Sequence, residues 1–598
     1  MQLSEHLWRV EDTCNVYVVA GPDGCACVDF GAGRALELPA MRAAGPLRDV
    51  LLTHHHRDQA QSLPLAVAAG ARVWAPHAER ALLDDVEAHW QARELLGSYN
   101  PRQDRFALAE PVPVAGTLRD YEDYSFAGHS FTVVPTPGHT PGSLSLLATL
   151  DGRRVAFTGD LIAGPGQLWS LAATQWSYGG GEGLAATVLS LLDLKARRLE
   201  LLLPSHGEPI AEVDAAIDLT VERLWALIQA RQQKNLRLFA LLEAPYAQLS
   251  EHLLWNRTSM ANSYALLSRG GKALLFDFGY DFATGVPAGA DRAARRPWLY
   301  SIPALKARYG VTQIEAVVPT HYHDDHVAGC NLLRDREGAQ VWAAESFADI
   351  LERPADHDLP CLWHEPIAVE RRLPLGVPIA WEEHRFTLHP LPGHTRHAVA
   401  ISLEVDGRRA LITGDQYGGG GTIINYVYAA GFGPDDYAAS AALLRRLAPD
   451  LVLSGHGAPL EPGPGYLDAL ESSGEALARL HRELLPPEAL AWDGGGFAAT
   501  IAPYQLAARA GEPAELRVTV RNPHPRPALA EVRLSAPAGW LVPGAITLAL
   551  PPHGEAAAPL ALTPAGQARR ARVLADITLD GRPLGQQAEC LVTVRDEG

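Results

Sequence analysis

One ordered set of histidines and aspartates occurs twice in this chain of 598 residues. Each set begins with a histidine-rich string after an apolar run, and a histidine, an aspartate and a histidine then follow in three later turns. In both copies the histidine of the first later turn precedes the aspartate by 21 residues (139 to 160 and 394 to 415). The aspartate precedes the last histidine by 46 residues in the first copy (160 to 206) and by 41 in the second (415 to 456). The sequences Cys27-Val-Asp29-Phe-Gly31 and Leu275-Phe-Asp277-Phe-Gly279 also correspond. This agreement predicts a tandem duplication.

The second histidine-rich string reads Thr-His-Tyr-His-Asp-Asp-His-Val-Ala-Gly over residues 320–329 and follows an apolar run that is typical of a strand. Four of its side chains can bind a metal: His321, His323, Asp325 and His326. In a turning loop, the first two alternate onto one side to hold one ion, and the other two face a second position. Imidazole and carboxylate suit zinc, and also iron or manganese. His394, Asp415 and His456 follow in small-residue turns.

These motifs resemble those of the metallo-β-lactamase superfamily, which carries HxHxDH followed by separate His, Asp and His motifs. The resemblance implies an α/β fold, an αββα sandwich, in each copy. It also implies that His321, His323 and His394 bind a first ion, that Asp325, His326 and His456 bind a second, and that Asp415 bridges both. A water held between two such ions loses a proton near neutral pH and attacks the substrate. Asp325, the candidate catalytic residue, would orient the nucleophile or protonate the leaving group.

The first copy departs from this pattern at one position, where Gln59 stands in place of His326. A glutamine amide is a weaker ligand than imidazole because it is neutral and poorly basic. His54, His56 and His139 still form a complete first position, whereas the second position keeps Asp58, Asp160 and His206. We therefore expect two zinc ions in the second copy and one in the first, with iron or manganese as alternatives. The first copy is either a mononuclear active site or a decayed copy kept for packing, and the second is predicted to be the main site.

Composition narrows the functional class. A net charge of −18 argues against nucleic acid as a partner, because nucleic-acid-binding surfaces are basic. The sequence contains no apolar run of about 18 residues, the length that would predict a membrane span. Its first residues lack the pattern of a signal peptide. Six cysteines in so long a chain do not form a disulfide framework; Cys25 and Cys27 are expected to share a core strand face, and Cys14, Cys330, Cys361 and Cys590 to be structural. We expect a cytoplasmic protein with a small-molecule substrate, and the sequence does not indicate an oligomeric state.

Three domains are predicted, at 1–245, 250–485 and 498–598. Ile217, Val221, Leu224 and Ile228 form one helical face near the end of the first, and a helix from Tyr466 to Leu485 closes the second. The third alternates apolar and polar residues between Pro/Gly turns, which is typical of a small immunoglobulin-like β-sandwich. A spacer, packing or interaction role is expected for it.

Two further features lie near the predicted sites. The second copy carries an insertion between Gly279 and Pro303, since Asp29 and His54 are 25 residues apart whereas Asp277 and His321 are 44 apart. This insertion either overhangs the site or forms a solvated surface loop, and we favour the surface loop. Its basic and aromatic residues are Arg292, Arg295, Arg296 and Trp298. Glycine-rich loops at 415–426 and 176–181 are interpreted either as flexible pocket walls or as surface turns.

The predicted function is metal-dependent hydrolysis of a small carbonyl compound, a thioester, lactone, ester or amide, by a metal-bound hydroxide. One alternative is an iron-dependent oxygenase or redox protein on the same fold, although His323 stands where diiron electron-transfer relatives carry glutamate. Another is a nuclease resembling the long ribonuclease form, which the acidic composition disfavours. A non-enzymatic binding platform is the last alternative, and the complete ligand set in the second copy argues against it.

Overall fold

A computed structural model of the chain describes residues 1–37, 45–92, 106–176, 182–230, 237–281, 296–299, 301–423, 428, 431–485, 492 and 498–595. The chain divides into two units. One comprises residues 1–245 and 280–298, and the other comprises residues 246–279 and 299–598.

The first unit contains two mixed sheets. The seven strands of the first sheet lie side by side in chain order, antiparallel from β1 to β4 and parallel from β4 to β7. They are β1 (Gln2–Ser4), β2 (Leu7–Glu11), β3 (Asn15–Gly21), β4 (Gly24–Val28), β5 (Leu47–Leu51), β6 (Arg72–Pro76) and β7 (Gly116–Leu118). The second sheet has the order β12-β11-β10-β9-β8 and is antiparallel except between β11 and β12. Its strands are β8 (Asp123–Phe126), β9 (His129–Pro135), β10 (Leu144–Leu150), β11 (Arg153–Gly159) and β12 (Leu201–Pro204).

Helices cover the outer face of each sheet in this unit. They are α1 (Arg57–Ala60), α2 (Leu63–Ala68), α3 (Ala81–Asp84), α4 (Val86–Gln91), α5 (Glu182–Ala196), α6 (Val213–Ala230) and α7 (Arg237–Glu243). Alternation along β3 explains the layering: Tyr17 and Val19 belong to the core between the sheets, whereas Val16 and Val18 belong to the core beneath the helices. The predicted apolar face at 217–228 is confirmed in α6, which packs on the second sheet.

The second unit repeats this arrangement. Strands β13–β19 form a sheet in chain order, and β20–β24 form another. The first set is β13 (Tyr246–Gln248), β14 (Leu253–Asn256), β15 (Ser263–Leu267), β16 (Lys272–Phe276), β17 (Gln313–Val318), β18 (Gln340–Ala344) and β19 (Arg371–Leu373). The second set is β20 (Ile379–Trp381), β21 (His384–Pro390), β22 (Val399–Val405), β23 (Arg408–Gly414) and β24 (Leu451–Ser454). Phe276 meets Phe386 edge to face at 6.0 Å, so the two sheets face each other.

The helices of the second unit are α8 (Ser301–Tyr309), α9 (Asp324–Val327), α10 (Cys330–Glu337), α11 (Ala348–Glu352), α12 (Asp436–Leu447) and α13 (Tyr466–Leu484). The last of these agrees with the helix predicted from Tyr466. In both copies the order of strands and helices is therefore that of an α/β fold with two mixed sheets, as predicted.

The C-terminal part of the second unit is rich in β-strands. The strands are β25 (Ala499–Ala502), β26 (Gln505–Arg509), β27 (Ala514–Arg521), β28 (Ala528–Ser535), β29 (Ile546–Leu550), β30 (Glu555–Leu562), β31 (Ala568–Leu579) and β32 (Arg582–Arg595). They form a three-stranded sheet, β25-β27-β30, and a five-stranded sheet, β26-β32-β31-β28-β29. Val518 and Ile577, from different sheets, belong to one hydrophobic core.

Three of the residues discussed from the sequence lie in environments that differ from those predicted: Cys361, Arg296 and Trp298. Cys25 and Cys27 are buried in the core beneath the helices, as predicted, but Cys361 is exposed and is not a core thiol. The surface-loop interpretation of the insertion is wrong for Arg296 and Trp298, which are 9% and 5% exposed. The buried guanidinium of Arg296 pairs with Asp120 at 3.3 Å. The other two arginines of the insertion, Arg292 and Arg295, lie outside the described residues.

In the part of the chain that the structure describes, no helix has both the length and the apolar character needed to cross a bilayer.

Candidate metal centres

The histidine-rich string of the second domain begins at the end of β17. His321 and His323 lie in the loop, and His323 is the extended residue before α9 (φ −63°, ψ 144°). Because β17 is an interior strand, its end is buried, and His321, His323 and His326 are 1%, 3% and 0% exposed. A second loop supports the string from behind, since Asp324 N donates a hydrogen bond to Cys361 O at 2.8 Å.

Three imidazoles from two loops form the first cluster of this domain. His394 lies between β21 and β22, and its ring centroid is 5.1 Å from that of His321 and 4.8 Å from that of His323. His394 Nε2 and His323 Nδ1 face each other at 3.0 Å. One ligand atom from each of the three residues lies within 4.8 Å of the others. This spacing suits three nitrogens that share one ion.

Asp325, His326, Asp415 and His456 form the second cluster. Asp415 Oδ1 is 3.1 Å from His326 Nε2, and Asp415 Oδ2 is 3.2 Å from His456 Nε2. The same Oδ2 atom is 3.5 Å from His394 Nε2, in the first cluster. His456 Nε2 also lies 3.2 Å from Asp325 Oδ2. The carboxylate of Asp415 therefore contacts histidines of both clusters.

The donor set fits a divalent metal ion. Among the described residues, the buried His321 Nε2 has no hydrogen-bond partner, while His321 Nδ1 is 3.1 Å from Thr320 Oγ1. A buried polar atom without a partner is costly and needs an explanation. Imidazole nitrogens and carboxylate oxygens are ligands that zinc takes in proteins. A cation shared with His323 and His394 would satisfy this nitrogen.

The pKa values follow from burial and from neighbouring charge. Burial, together with repulsion from nearby imidazoles, lowers the pKa of His321 well below its usual range and that of His323 to about 3. These two rings are therefore neutral near pH 7 and have lone pairs available. For His456, burial opposes the charged form, but contacts with Asp325 and Asp415 outweigh it and raise the pKa to about 10. The carboxylate cluster thus favours positive charge.

A buried aspartate beneath each site is a positioning residue that the sequence analysis did not assign a role. Asp277 follows β16 with a φ of 56°, a left-handed conformation that is uncommon for a residue with a side chain. Asp277 Oδ1 accepts a hydrogen bond from Thr320 N at 2.7 Å, and Asp277 Oδ2 accepts one from His326 Nδ1 at 2.9 Å. Asp29 holds the same position in the first domain, with a φ of 56°. The repeated Asp-Phe-Gly was the available signal.

The first domain assembles the corresponding histidine cluster. His54, His56 and His139 are 0%, 2% and 3% exposed. The His54 ring centroid is 4.7 Å from that of His56 and 4.9 Å from that of His139, and His139 Nε2 lies 3.0 Å from His56 Nδ1. His54 Nε2 is buried with no hydrogen-bond partner in the described ranges. The first position is therefore built alike in both domains.

The other half of the first site differs. Asp58, Asp160 and His206 lie together, as predicted; His206 Nε2 is 3.3 Å from Asp58 Oδ2, but His206 faces Asp160 with its other nitrogen. His206 Nδ1 is 2.7 Å from Asp160 Oδ1, and His206 Nε2 is 3.1 Å from Thr13 O. The Trp169 ring stacks on His206 at 3.8 Å with an interplanar angle of 2°. Both nitrogens of His206 therefore have protein partners.

Gln59 is the other residue by which the first site differs from the second. It is fully buried, and its amide Nε2 donates to Asp160 Oδ2 at 3.3 Å and to Asp58 Oδ2 at 3.4 Å. In the second domain these two aspartates correspond to Asp415 and Asp325. The amide N–H groups of Gln59 thus face the two carboxylates at the place where the second domain has the imidazole of His326.

A buried glutamate anchors the loops of the first site. Glu79 Oε2 accepts hydrogen bonds from His55 N and His55 Nδ1, both at 2.9 Å, and Glu79 Oε1 accepts them from Thr140 Oγ1 at 2.5 Å and Gly142 N at 2.9 Å. Burial opposes ionisation, but the charge of His55 and these hydrogen bonds outweigh it and lower the pKa of Glu79 to about 2. The sequence analysis missed Glu79 because it stands alone, remote from every motif.

The glycine-rich loops are only partly described. Tyr417 is 2% exposed and packs edge to face on Tyr437 at 5.7 Å, so this end of the loop belongs to the core and does not line a pocket. Trp176, at the start of the first-domain loop, is likewise buried. Residues 177–181 and 424–427 lie outside the described residues. Tyr322, between the two histidines of the string, is buried and meets the His323 ring at 5.0 Å.

Comparison with known proteins agrees with the repeat. The sequence model of the family described as "Metallo-beta-lactamase superfamily" matches residues 9–206 and residues 257–456. Two relatives are named hydroxyacylglutathione hydrolase. The one from Pseudomonas putida (strain W619) is 27% identical over 170 residues, which are 27% of this chain and 51% of that protein. The one from Fuscovulum blasticum is 30% identical over 145 residues, 23% of this chain and 45% of that protein. The chain thus spans about half the length of these curated relatives.

Among solved structures, a metallo-β-lactamase with a HARLDQ motif from Cronobacter sakazakii is 19% identical, with a TM-score of 0.30. The likeness covers 39% of this chain and 95% of that one.

Proposed function

Because this chain belongs to the metallo-β-lactamase superfamily, we propose that it is a metal-dependent hydrolase whose main active site lies in its second domain. The observation that carries the proposal is the carboxylate of Asp415. Its oxygens lie 3.1–3.5 Å from His326, His394 and His456, and so join two clusters of candidate ligands. We assign His321, His323 and His394 to one ion, Asp325, His326 and His456 to the other, and Asp415 to both.

We propose zinc for these positions, two ions in the second domain and one in the first. Bound divalent ions of this kind acidify a water at neutral pH and stabilise the negative charge that develops on an attacked carbonyl. In the first domain, the assigned residues are His54, His56 and His139, with Asp58, Asp160 and His206 beside them.

The side chains divide the remaining work. Asp325 is the more accessible carboxylate, with 23% of its side chain exposed against 8% for Asp415. A carboxylate at the mouth can take a proton from the attacking water and deliver it to the leaving group. Asp277 orients His326 from below through the 2.9 Å hydrogen bond to Nδ1 and so holds its Nε2 toward Asp415.

The substrate class we propose is a small carbonyl compound: a thioester, lactone, ester or amide. The two relatives named hydroxyacylglutathione hydrolase favour a thioester among these, because an acylglutathione is a thioester. We further propose three domains, at 1–245, 250–485 and 498–598. The shared core of the two C-terminal sheets supports an immunoglobulin-like β-sandwich for the last of them.

The test is hydrolysis by the zinc-loaded full chain of a panel of thioester, lactone, ester, amide and phosphodiester substrates. The variants are Asp325→Asn and, as the matched control, Asp58→Asn in the first domain. We expect hydrolysis of a carbonyl substrate that falls at least about a hundredfold in Asp325→Asn, the low end for loss of a general acid–base group, and that Asp58→Asn leaves within about twofold. Loss of turnover in Asp58→Asn alone would assign the main site to the first domain. Cleavage of the phosphodiester alone would contradict the substrate class.

A further inference from the structure

The two sites differ at a second position beside the last histidine. In the first domain Ser205 precedes His206, and in the second Gly455 precedes His456. Each of these residues directly follows the last strand of its second sheet, β12 or β24. The sequence therefore offers two exchanges, Gln59 for His326 and Ser205 for Gly455, that meet at one place in the fold.

Glycine at 455 is required by its neighbours. A Cβ atom built there would lie 1.9 Å from Asp415 Oδ1 and 2.8 Å from His326 Cε1, closer than real Cβ atoms approach other atoms. The imidazole of His326 and the carboxylate that faces it thus occupy the space that a side chain at 455 would need.

In the first domain that space holds a serine. Ser205 Oγ donates a hydrogen bond to Asp29 Oδ2 at 2.6 Å. In the second domain the equivalent Oδ2 of Asp277 accepts its bond from His326 Nδ1 at 2.9 Å. The serine hydroxyl therefore takes over the donor role of the missing imidazole, and the buried aspartate keeps a partner in both domains.

Gln59 takes over the other role of that imidazole. Its amide N–H groups reach Asp160 at 3.3 Å and Asp58 at 3.4 Å, within a fully buried side chain. Asp160 Oδ1 also lies 2.7 Å from His206 Nδ1. Two residues together thus do what one histidine does in the second domain.

We propose that Gln59 and Ser205 are a matched pair that keeps the first site to a single ion, and that both must change before it can hold a second. A histidine at 59 needs the space of the Ser205 side chain, as His326 needs Gly455. Removing the serine alone frees the space but takes the 2.6 Å donor from Asp29 Oδ2, which keeps the Thr53 hydroxyl at 3.0 Å, and it leaves Gln59 in place. The inference rests on the metal sites proposed above, but the packing conflict does not depend on a metal.

The experiment compares Gln59→His, Ser205→Gly and the double variant in the full chain. We expect the double variant to bind one more equivalent of zinc per chain than the natural protein, by elemental analysis after dialysis, and each single variant to bind none. Gln61→His, an exposed neighbour in the same segment, controls for histidine added at the surface. The reciprocal Gly455→Ser in the second domain is expected to lose one equivalent. Zinc gained in full by Gln59→His alone would overturn the pairing, as would a folded double variant that gains none.

A second readout needs no metal. In the presence of a chelator, Gln59→His is expected to lower the melting temperature of the first domain by about 5 °C, because overpacking a core destabilises it. Adding Ser205→Gly is expected to restore most of that loss. Strictly additive effects would overturn the pairing even if zinc binding agreed with it. Failure of the natural protein to bind zinc would contradict the proposed function, while the melting-temperature cycle would still decide the pairing.

Discussion

The first and second domains bring histidines and aspartates to equivalent strand ends, and the three-histidine clusters are closely alike. His139 Nε2 lies 3.0 Å from His56 Nδ1, and His394 Nε2 lies 3.0 Å from His323 Nδ1. The carboxylate clusters differ. Asp415 and Asp160 each face three histidines, but Asp160 also accepts a hydrogen bond from the Gln59 amide, and its partner His206 contacts a backbone carbonyl with the other nitrogen. The carboxylate cluster of the second domain thus has ligand atoms available to a cation, whereas the equivalent atoms of the first domain have additional protein partners.

The comparison shows that a degenerate copy can remain well packed. In the first domain, buried polar groups at the altered positions are largely satisfied by side chains, since an unsatisfied buried group costs about 1–3 kcal/mol. Ser205 serves Asp29, and Glu79 serves the two loops that carry His56 and His139. The first domain therefore maintains the position of three histidines while it changes the rest of its site.

We expect the largest difference between the two sites when the aspartate that contacts both clusters of a site is replaced. Asp415→Asn removes the carboxylate that contacts both clusters, and we expect turnover of the main substrate to fall by about three orders of magnitude, comparable to the loss of a principal electrostatic group. Asp160→Asn, the matched variant, is expected to change turnover less than about twofold. Steady-state kinetics on both variants, with zinc content measured in parallel, tests this. Equal losses in the two variants would mean that the domains act as one catalytic unit.

The next effect concerns Glu79 in the first domain. The equivalent position of the second domain holds Phe347, which is not ionisable, since Phe347 follows β18 at the same distance as Glu79 follows β6. Glu79→Gln leaves His55 with a weaker acceptor, and we expect it to destabilise the first domain by about 3 kcal/mol at pH 7, the lower end for breaking a buried pair. Hydrogen exchange of residues 53–58 and 139–143 in the full chain measures this locally, and the second-domain segment 320–326 serves as the control.

The pH dependence of that effect has a defined sign. Because the pKa of Glu79 is lowered to about 2 from an ordinary value of 4.5, its stabilising contribution is complete above about pH 4.5 and is lost as the pH falls toward 2. The difference between the natural protein and Glu79→Gln is therefore expected to shrink over that window. A difference that stayed constant down to pH 2 would show that Glu79 acts by shape and not by charge.

A smaller effect is expected from the buried aspartates beneath the sites. Asp277→Asn weakens the hydrogen bond that orients His326, and we expect zinc affinity of the second domain to fall by about 10- to 100-fold, as is typical when such an orienting partner is lost. Asp29→Asn is expected to change the zinc affinity of the first domain by less than about fivefold. The reason is that Asp29 accepts hydrogen bonds from Ser205 and Thr53, neither of which is a candidate metal ligand. Competition against a chromophoric chelator measures both. Equal losses would indicate that the aspartates support the loops and not His326.

Local patterns were sufficient to identify the repeated α/β fold, the helices at 213–230 and 466–484, and the thirteen candidate metal-binding residues. Each of those residues follows a strand-like run or stands in a short turn, so order and spacing along the chain are enough to find it. The alternation at 516–520 and 577–579 likewise indicated C-terminal strands, which the structure extends to 514–521 and 568–579.

Contacts between distant segments were decided only by the tertiary structure. Ser205 and Asp29 are 176 positions apart, and Glu79 reaches Thr140 across 61 positions. Such pairs meet because several strands end at one edge of the facing sheets, and no local pattern links the two partners of a pair. The same holds for Arg296, which is buried and pairs with Asp120 in another part of the chain. The sequence by itself determined which chemical groups reach each site, and the packing of strand ends decided which of those groups remain available to bind an ion.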